Sequence, residues 1–354
     1  MTERLYLHPS ALLHGPDAAQ AVADGRAGWL AGGPVAYTQA GLVARSGDSR
    51  TVRHLPYADL RDSEDRDIAQ ALAAVGSVRA ALPGLALPDV AVMGVVNVTP
   101  DSFSDGGQYA DTATAVAQGE ALIAAGADML DIGGESTRPG SDATPKACEL
   151  DRVLPVIEGL VDHGVPISID TRKTFIMRKA ATAGALLIND ISALQFDPEA
   201  IETARELGLP VVLMHSAGDP KTMQQNPEYD DVVLDVFDAL ESRIRACEEG
   251  GIPRARIIAD PGIGFGKTFQ HNHALLRELA VFHGLGVRIM LGVSRKAFIG
   301  ALSGEKVAGR RASGSVSAGL VGVMQGVQML RVHDVAETVQ AVRTWAGIWP
   351  ARTE

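Results

Sequence analysis

The sequence predicts a (β/α)8 TIM barrel preceded by an additional N-terminal segment. Three features lead there: eight short β-branched or apolar runs succeed one another from Val90 onward, amphipathic stretches separate them, and nearly every run ends in a polar residue. Continuous rather than alternating apolar runs are expected of parallel strands covered on both faces. Eight strand–helix units in succession close a barrel, which an open doubly wound sheet would not need.

The runs are AVMGVVNV (91–98), DMLDIGG (128–134), PISID (166–170), ALLIND (185–190), PVVLMH (210–215), RIIAD (256–260), RIMLGVS (288–294) and VQMLRVH (327–333). The helices between them carry their own punctuation. Asp197-Pro198 opens one as cap and first-turn proline, Gly208 closes it, and Asp334 begins the last. Residues 1–89 break this rhythm and form an extension packed on the barrel, which occupies 90–354. Within it Ile68, Leu72, Val75, Val78 and Leu82 recur at helical spacing. Turn signals at Pro83-Gly84 and Pro88 mark the boundary. The extension shows no catalytic constellation, which leaves it a packing or partner-binding role and leaves the barrel's chemistry independent of it.

A formal charge of −11 and a pI near 5.3 argue against a nucleic-acid partner. No run approaches a membrane span, and MTERLYLHPS lacks the apolar core of a signal peptide, so a cytoplasmic protein is expected. Cys148 and Cys247 fall in helical stretches and are expected as buried free thiols.

The chemistry concentrates at the strand ends. DIGGESTRPG (131–140) finishes a buried strand and then sets Glu135, Ser136, Thr137 and Arg138 on a loop that Pro139 and Gly140 keep from becoming helix. Asn97, Asp131, Asp170, Asn189-Asp190, Met214-His215, Asp260, Ser294-Arg295-Lys296 and Arg331-Val332-His333 end the eight strands in turn. Converging on one rim, they make a concave site. Asp170, Asp260 and Asn189 can grip a donor-rich heterocycle, while Arg331, His333 and Asn97 can hold an anion and its metal. Lys296 can bridge the two. PGIGFGKT (261–268) is not a phosphate loop, since Pro261 stands where that motif needs glycine; its glycines suit close passage of the backbone past a flat ligand. His271 and His273, two apart on a helix, do not face one another as a metal pair would.

MGVVNVTPDSFSDGG, DIGGESTRPG, SIDTRK, INDIS, LMHSAGDPKTMQ, DPGIGFGKT, GVSRKAFIG and RVHDV together resemble the dihydropteroate synthase family over residues 91–345. The resemblance implies a pterin-binding barrel of folate biosynthesis. It would condense 6-hydroxymethyl-7,8-dihydropterin pyrophosphate with 4-aminobenzoate, release pyrophosphate, require Mg2+, work as a cytoplasmic homodimer and be a sulfonamide target. Carried over by position, Asp170, Asp260 and Lys296 would be catalytic, and they would bind the pterin with Asn189, Met214 and Gly264. Asn97, Thr137, Arg331 and His333 would bind pyrophosphate, with Asn97 also at the metal. Phe103, Thr137, Arg138, Pro139, Phe265 and Ser294 would bind aminobenzoate, and Asp105 with Arg138 would close the loops. The alternatives are a methyltransferase-type pterin barrel and a non-catalytic pterin-binding subunit.

Overall fold

The computed structural model describes residues 4–46, 49–99, 107–136, 144–218 and 227–350. Its centre is a closed barrel of eight parallel strands: β5 (Ala91–Asn97), β6 (Met129–Gly133), β7 (Ile167–Asp170), β8 (Leu187–Asp190), β9 (Val211–Met214), β10 (Ile257–Asp260), β11 (Arg288–Leu291) and β12 (Met329–Val332), which returns to β5. Helices α4 (Gly107–Ala124), α5 (Lys146–Leu160), α6 (Thr174–Thr182), α7 (Ala200–Leu207), α8 (Val232–Glu249), α9 (Phe269–Arg277), α10 (Ala297–Ser303), α11 (Ala312–Val323) and α12 (Val335–Ile348) surround it.

Each run contains a strand, but the strands are shorter than the runs. β11 ends at Leu291, so Ser294 and Lys296 stand on the turn beyond it, and His333 stands just past β12. Asp131 is not a strand end either. It pairs with Val95 and Ser168 two residues before β6 finishes, a layer below Asp170, which pairs with Gly133.

Two local expectations fail. Asp197 does not cap α7, which starts at Ala200. One of its carboxylate oxygens does accept from Glu199 N at 3.2 Å, in the turn that leads into α7, while the other accepts from Thr174 at the start of α6, through N at 3.2 Å and Oγ1 at 2.7 Å. Gly208 does close α7, at φ +69. Of the thiols, Cys247 is buried and Cys148 is exposed.

The extension is a four-stranded antiparallel sheet with helices. β3 (Val35–Ser46) runs between β1 (Arg4–His14) on one side and β2 (Gly28–Trp29) and β4 (Ser49–Pro56) on the other, with α1 (Gly15–Ala23), α2 (Tyr57–Arg61) and α3 (Arg66–Gly76) following in the chain. Pro9 in β1, and strands mixing charge with alanine and glycine, hide the sheet from pattern reading; β1 is an edge, where proline is tolerated. Tyr6 stacks edge-on to Phe237 of α8 at 5.4 Å, and Tyr37 edge-on to Tyr57 at 5.4 Å.

The helix expected through Leu82 stops at Gly76. Asp65 caps α3 at its start by accepting from Asp67 N, and Val78 is 80% exposed. Leu82 and Leu85 go elsewhere. They join Met93, Met129, Leu187, Val212, Ile258, Met290 and Met329 in one buried cluster made from the barrel's inward-facing side chains. A cut at residue 89 therefore runs through a packed core, and the barrel floor is built partly from the extension. Truncating Leu82 to alanine leaves a cavity at that floor. Unfolding by urea should show a loss of about 2–4 kcal/mol, and a change below about 0.5 kcal/mol would mean that the floor closes without it.

Candidate active site

Arg331 organises the centre of the mouth. Its Nε donates to Asp131 Oδ2 at 2.6 Å and its Nη2 to Asp170 Oδ2 at 2.7 Å; Asn189 Nδ2 adds a bond to the same Asp131 oxygen at 2.9 Å. Register explains the meeting, because Asp170 lies beside Asn189 on neighbouring strands. Burial works against the guanidinium, yet Asp131 and Asp170 outweigh it and raise the pKa of Arg331. Burial pushes Asp170 above the ordinary carboxylate range, and Arg331 opposes that. From the sequence alone Arg331 is expected at an anion. Here two of its nitrogens lock the carboxylates, leaving Nη1 without a partner among the described residues.

The second half of the mouth is Asp260 with Lys296. Asp260, 3% exposed, accepts from Gly262 N at 2.7 Å. Burial raises its carboxyl, while Lys296 pulls it down. Lys296 donates to the Ile263 carbonyl and lies 4.7 Å from the Phe265 ring centre. Burial lowers its amine to about 8, despite Asp260. Gly264 lies against this chain, a Cβ there standing 3.2 Å from Lys296 Cδ. Met214 ends β9 at 5% exposure.

On the anion side Asn97 ends β5, half-buried. His333 contacts Ser294 through Nδ1 to Oγ at 3.0 Å, and its backbone N donates to the same hydroxyl at 3.1 Å. Burial, then Arg331, lower the imidazole to about 4. It is uncharged at neutral pH and serves as a hydrogen-bonding group, not as a cation. Thr137, Arg138, Pro139, Phe103 and Asp105 lie outside the described residues.

Three polar strand-end residues turn away from the mouth. Asp190 accepts from Ser192 N, Ser192 Oγ and Leu194 N in its own turn. Arg295, at φ +60, pairs with Asp334 through Nε at 3.1 Å, so Asp334 begins α12 without capping it through its side chain. His215 is drawn to Lys267, which the sequence reading had set aside along with the phosphate loop. The Lys267 amine is 3% exposed and reaches His215 Nδ1 at 2.9 Å and the carbonyls of Gly262 at 2.9 Å and Phe265 at 3.0 Å. Burial lowers it to about 7, although Asp260 favours its charge. The glycines here serve the backbone more than a ligand: a Cβ on Gly262 would meet the His215 carbonyl at 1.9 Å, and one on Gly266 would meet Ala217. His271 completes a capping box with Thr268. Among the described residues no group of three or more His, Cys, Asp or Glu is placed for a metal ion.

Glu135 is likewise an anchor instead of a rim acid. It accepts from Arg172 Nε at 3.1 Å and Thr144 N at 3.0 Å and pairs with Lys173 at 3.3 Å. Burial opposes its charge, but Arg172 and Lys173 hold its carboxyl below the usual range. Lys173 also pairs with the fully buried Glu149 of α5. The ends of β6 and β7 are thereby tied together.

The arrangement sets buried carboxylates and one amide against one amine, beside a neutral imidazole and a second amide. It suits a flat, donor-rich ring carrying an anionic group, which is the chemistry of a pterin-binding barrel. Residues 93–333 match the pterin binding enzyme family. A dihydropteroate synthase of Escherichia coli K12 is 47% identical over 253 residues, spanning 71% of this chain and 89% of its own. Among solved structures, Xanthomonas albilineans dihydropteroate synthase with 4-aminobenzoic acid is 49% identical, covers 73% of this chain and 93% of its own, and superposes with a TM-score of 0.70. Yersinia pestis dihydropteroate synthase in a sulfonamide complex is 43% identical, covers 76% and 98%, and gives 0.72. The chain belongs to the pterin-binding enzymes, within their dihydropteroate synthase family.

The Lys296 amine yields a pH signature. If its protonated form is the one that donates, kcat/KM should fall as pH rises through about 8. Lys296→Arg keeps a charge that does not titrate there, so that variant's alkaline limb should move beyond pH 10. A limb that stays in place would assign the titration to another group.

Proposed function

We propose that the protein condenses 6-hydroxymethyl-7,8-dihydropterin pyrophosphate with 4-aminobenzoate to give 7,8-dihydropteroate and pyrophosphate, a transferase step of folate biosynthesis. The observation that carries this reading is Asp170, Asn189, Asp260 and Lys296 gathered on one rim with Arg331 between the carboxylates.

Asp170 and Asp260 accept from the ring's amino and imino hydrogens, and Lys296 donates to its carbonyl and ring nitrogen. The methylene C–O bond breaks first, and its electron pair leaves with pyrophosphate. The electron-rich ring carries the resulting positive charge, which the two carboxylates stabilise electrostatically. The amine of aminobenzoate then forms the C–N bond and gives up its proton to solvent. The amine attacks unaided, so the site needs no strong general base.

Magnesium fits as a companion of the leaving group, which it neutralises when bound. Hard cations take oxygen ligands and come with substrate phosphates. Asn97 would supply an amide oxygen, with Arg331 and His333 donating to the phosphate oxygens beside it. No helix among the described residues is long and apolar enough to cross a membrane. The reading places the protein in the cytoplasm, where Cys148 and Cys247 stay reduced. It also makes the protein a homodimer, in keeping with Leu302, Val321 and Met324, 62%, 43% and 43% exposed on or beside α10 and α11.

Pyrophosphate release from the pterin substrate should depend on aminobenzoate. Asp260→Asn and Lys296→Ala should each lower kcat by about 10²–10³ with an unchanged circular dichroism spectrum. Near-normal turnover in either variant removes that residue from the mechanism. Sulfamethoxazole should compete with aminobenzoate in steady-state titrations. A normal aminobenzoate response with no inhibition would mean that the aminobenzoate end differs from the family's.

A further inference from the structure

The family match begins at residue 93, so nothing in it gives the extension a task beyond closing the barrel floor. The sheet nevertheless reaches the opposite, catalytic end. Helix α8 follows β9 and so begins at the mouth, where three carboxylates gather at its start: Asp230 just before it, Asp231 as its cap and Asp235 in its first turn. A helix N-terminus favours negative charge, but three such groups together repel one another. The cations that face them come from the extension. Arg45 of β3 donates through Nη1 to Asp235 Oδ1 at 2.5 Å and lies 3.7 Å from Asp230. Arg50 of β4 donates to Asp231 Oδ2 at 2.5 Å and reaches Glu278 at 3.7 Å.

These pairs hold more than a surface. The other Asp231 oxygen caps α8 by accepting from Val233 N and Leu234 N, at 3.1 and 3.2 Å. The other Asp235 oxygen accepts from the backbone N of Asp230 and Asp231, at 3.0 and 3.2 Å, which fixes the chain just before the helix. Immediately upstream, Tyr229 OH donates to the Gly266 carbonyl at 2.8 Å, and its ring meets His271 edge-on at 5.0 Å. Gly266 sits between Phe265, which faces Lys296, and the buried Lys267. Two arginines of the extension are thus one helical turn and one hydroxyl away from the loop that lines the reacting end of the mouth.

We propose that Arg45 and Arg50 of the extension form a positioning clamp for catalysis, holding the start of α8 and, through Tyr229, setting the β10–α9 loop against Lys296. The inference rests on the mouth being the pterin and aminobenzoate site. Arg45 and Arg50 are positioning residues, since neither touches the reacting groups. Half-exposed ion pairs add little global stability, so their loss should displace the loop without unfolding the chain.

The test uses full-length protein in four forms: the double variant Arg45→Ala/Arg50→Ala, Tyr229→Phe, the triple variant, and Arg4→Ala. Arg4→Ala removes a comparable pair to Asp238, farther along α8, at 2.6 Å. The double variant and Tyr229→Phe should each raise KM for both substrates about five- to tenfold, with kcat within about twofold. The triple variant should be no worse than either, because the groups act in series. Arg4→Ala should leave both constants unchanged. Amide hydrogen exchange over residues 262–268 should speed up in the double variant and in Tyr229→Phe, with or without substrates. That second reading needs no turnover, so it separates failure of the clamp from failure of the proposed reaction. Unchanged exchange in the double variant, additive effects in the triple, or an equal defect in Arg4→Ala would each overturn the clamp.

Discussion

The site depends on one guanidinium held between two buried carboxylates. Asp131 is fully buried and Asp170 nearly so, and each reaches Arg331 at 2.6–2.7 Å. Two buried carboxylates this close repel one another, a repulsion that a cation between them offsets, and an unpaired buried charge is strongly destabilising. Arg331 therefore does structural work before any substrate arrives. It fixes β12 against β6 and β7, opposes the effect of burial on Asp170, and through Asp131 orients the Asn189 amide. Its place in the fold is equally constrained, since β12 is the strand that closes the ring onto β5. The strand that closes the barrel is thus also the one that carries the guanidinium of the site.

What the sequence made legible follows from which physical pattern carried it. The barrel strands are continuous apolar runs bounded by turn residues, a local signal, and all eight runs contain strands. Asp170, Asn189, Asp260 and Lys296 were legible because a polar residue at the carboxyl end of a buried strand has few structural uses. Asp190 shows the limit of that logic. It sits beside Asn189 with the same credentials, yet strand pleating turns it the other way and it caps its own turn. Direction along a strand alternates by residue, and a one-residue ambiguity in where a strand ends is enough to hide it. Lys267 and the Glu135–Lys173–Glu149 group were not legible for another reason. Lys267 meets His215, 52 residues away, and Lys173 meets Glu149 on α5, the helix of the preceding strand–helix unit, contacts that only tertiary packing brings within reach.

In the extension local periodicity is a poor guide. Ile68, Leu72 and Val75 do lie on α3, but the recurrence at Val78 and Leu82 is coincidence. Val78 faces solvent, while Leu82 leaves the helix path to enter the barrel core. An amphipathic pattern states only that a residue must be buried, not against what. Here the burial partner is the barrel's own interior, so the extension and the barrel share a core. That sharing anchors the extension to the barrel at the end opposite the one where Arg45 and Arg50 meet α8.

The electrostatics of the mouth bear on why so acidic a chain can handle an anionic substrate. A net charge of −11 repels pyrophosphate at long range, but exposed charges are screened within about 8–10 Å in physiological salt. Inside the mouth the balance is local. Lys296, Lys267 and Arg331 all face Asp260, and burial raises Asp260 while it lowers both amines. Asp260 and the two amines favour one another's charge, whereas Lys296 works against Lys267 and Arg331 against Lys296. The uncharged His333, next to this cluster, adds no positive charge of its own to the anion end. That is consistent with a leaving group that must depart once the bond is broken. A site that bound pyrophosphate with several permanent cations would hold its product as tightly as its substrate, and tighter binding of both does nothing for turnover.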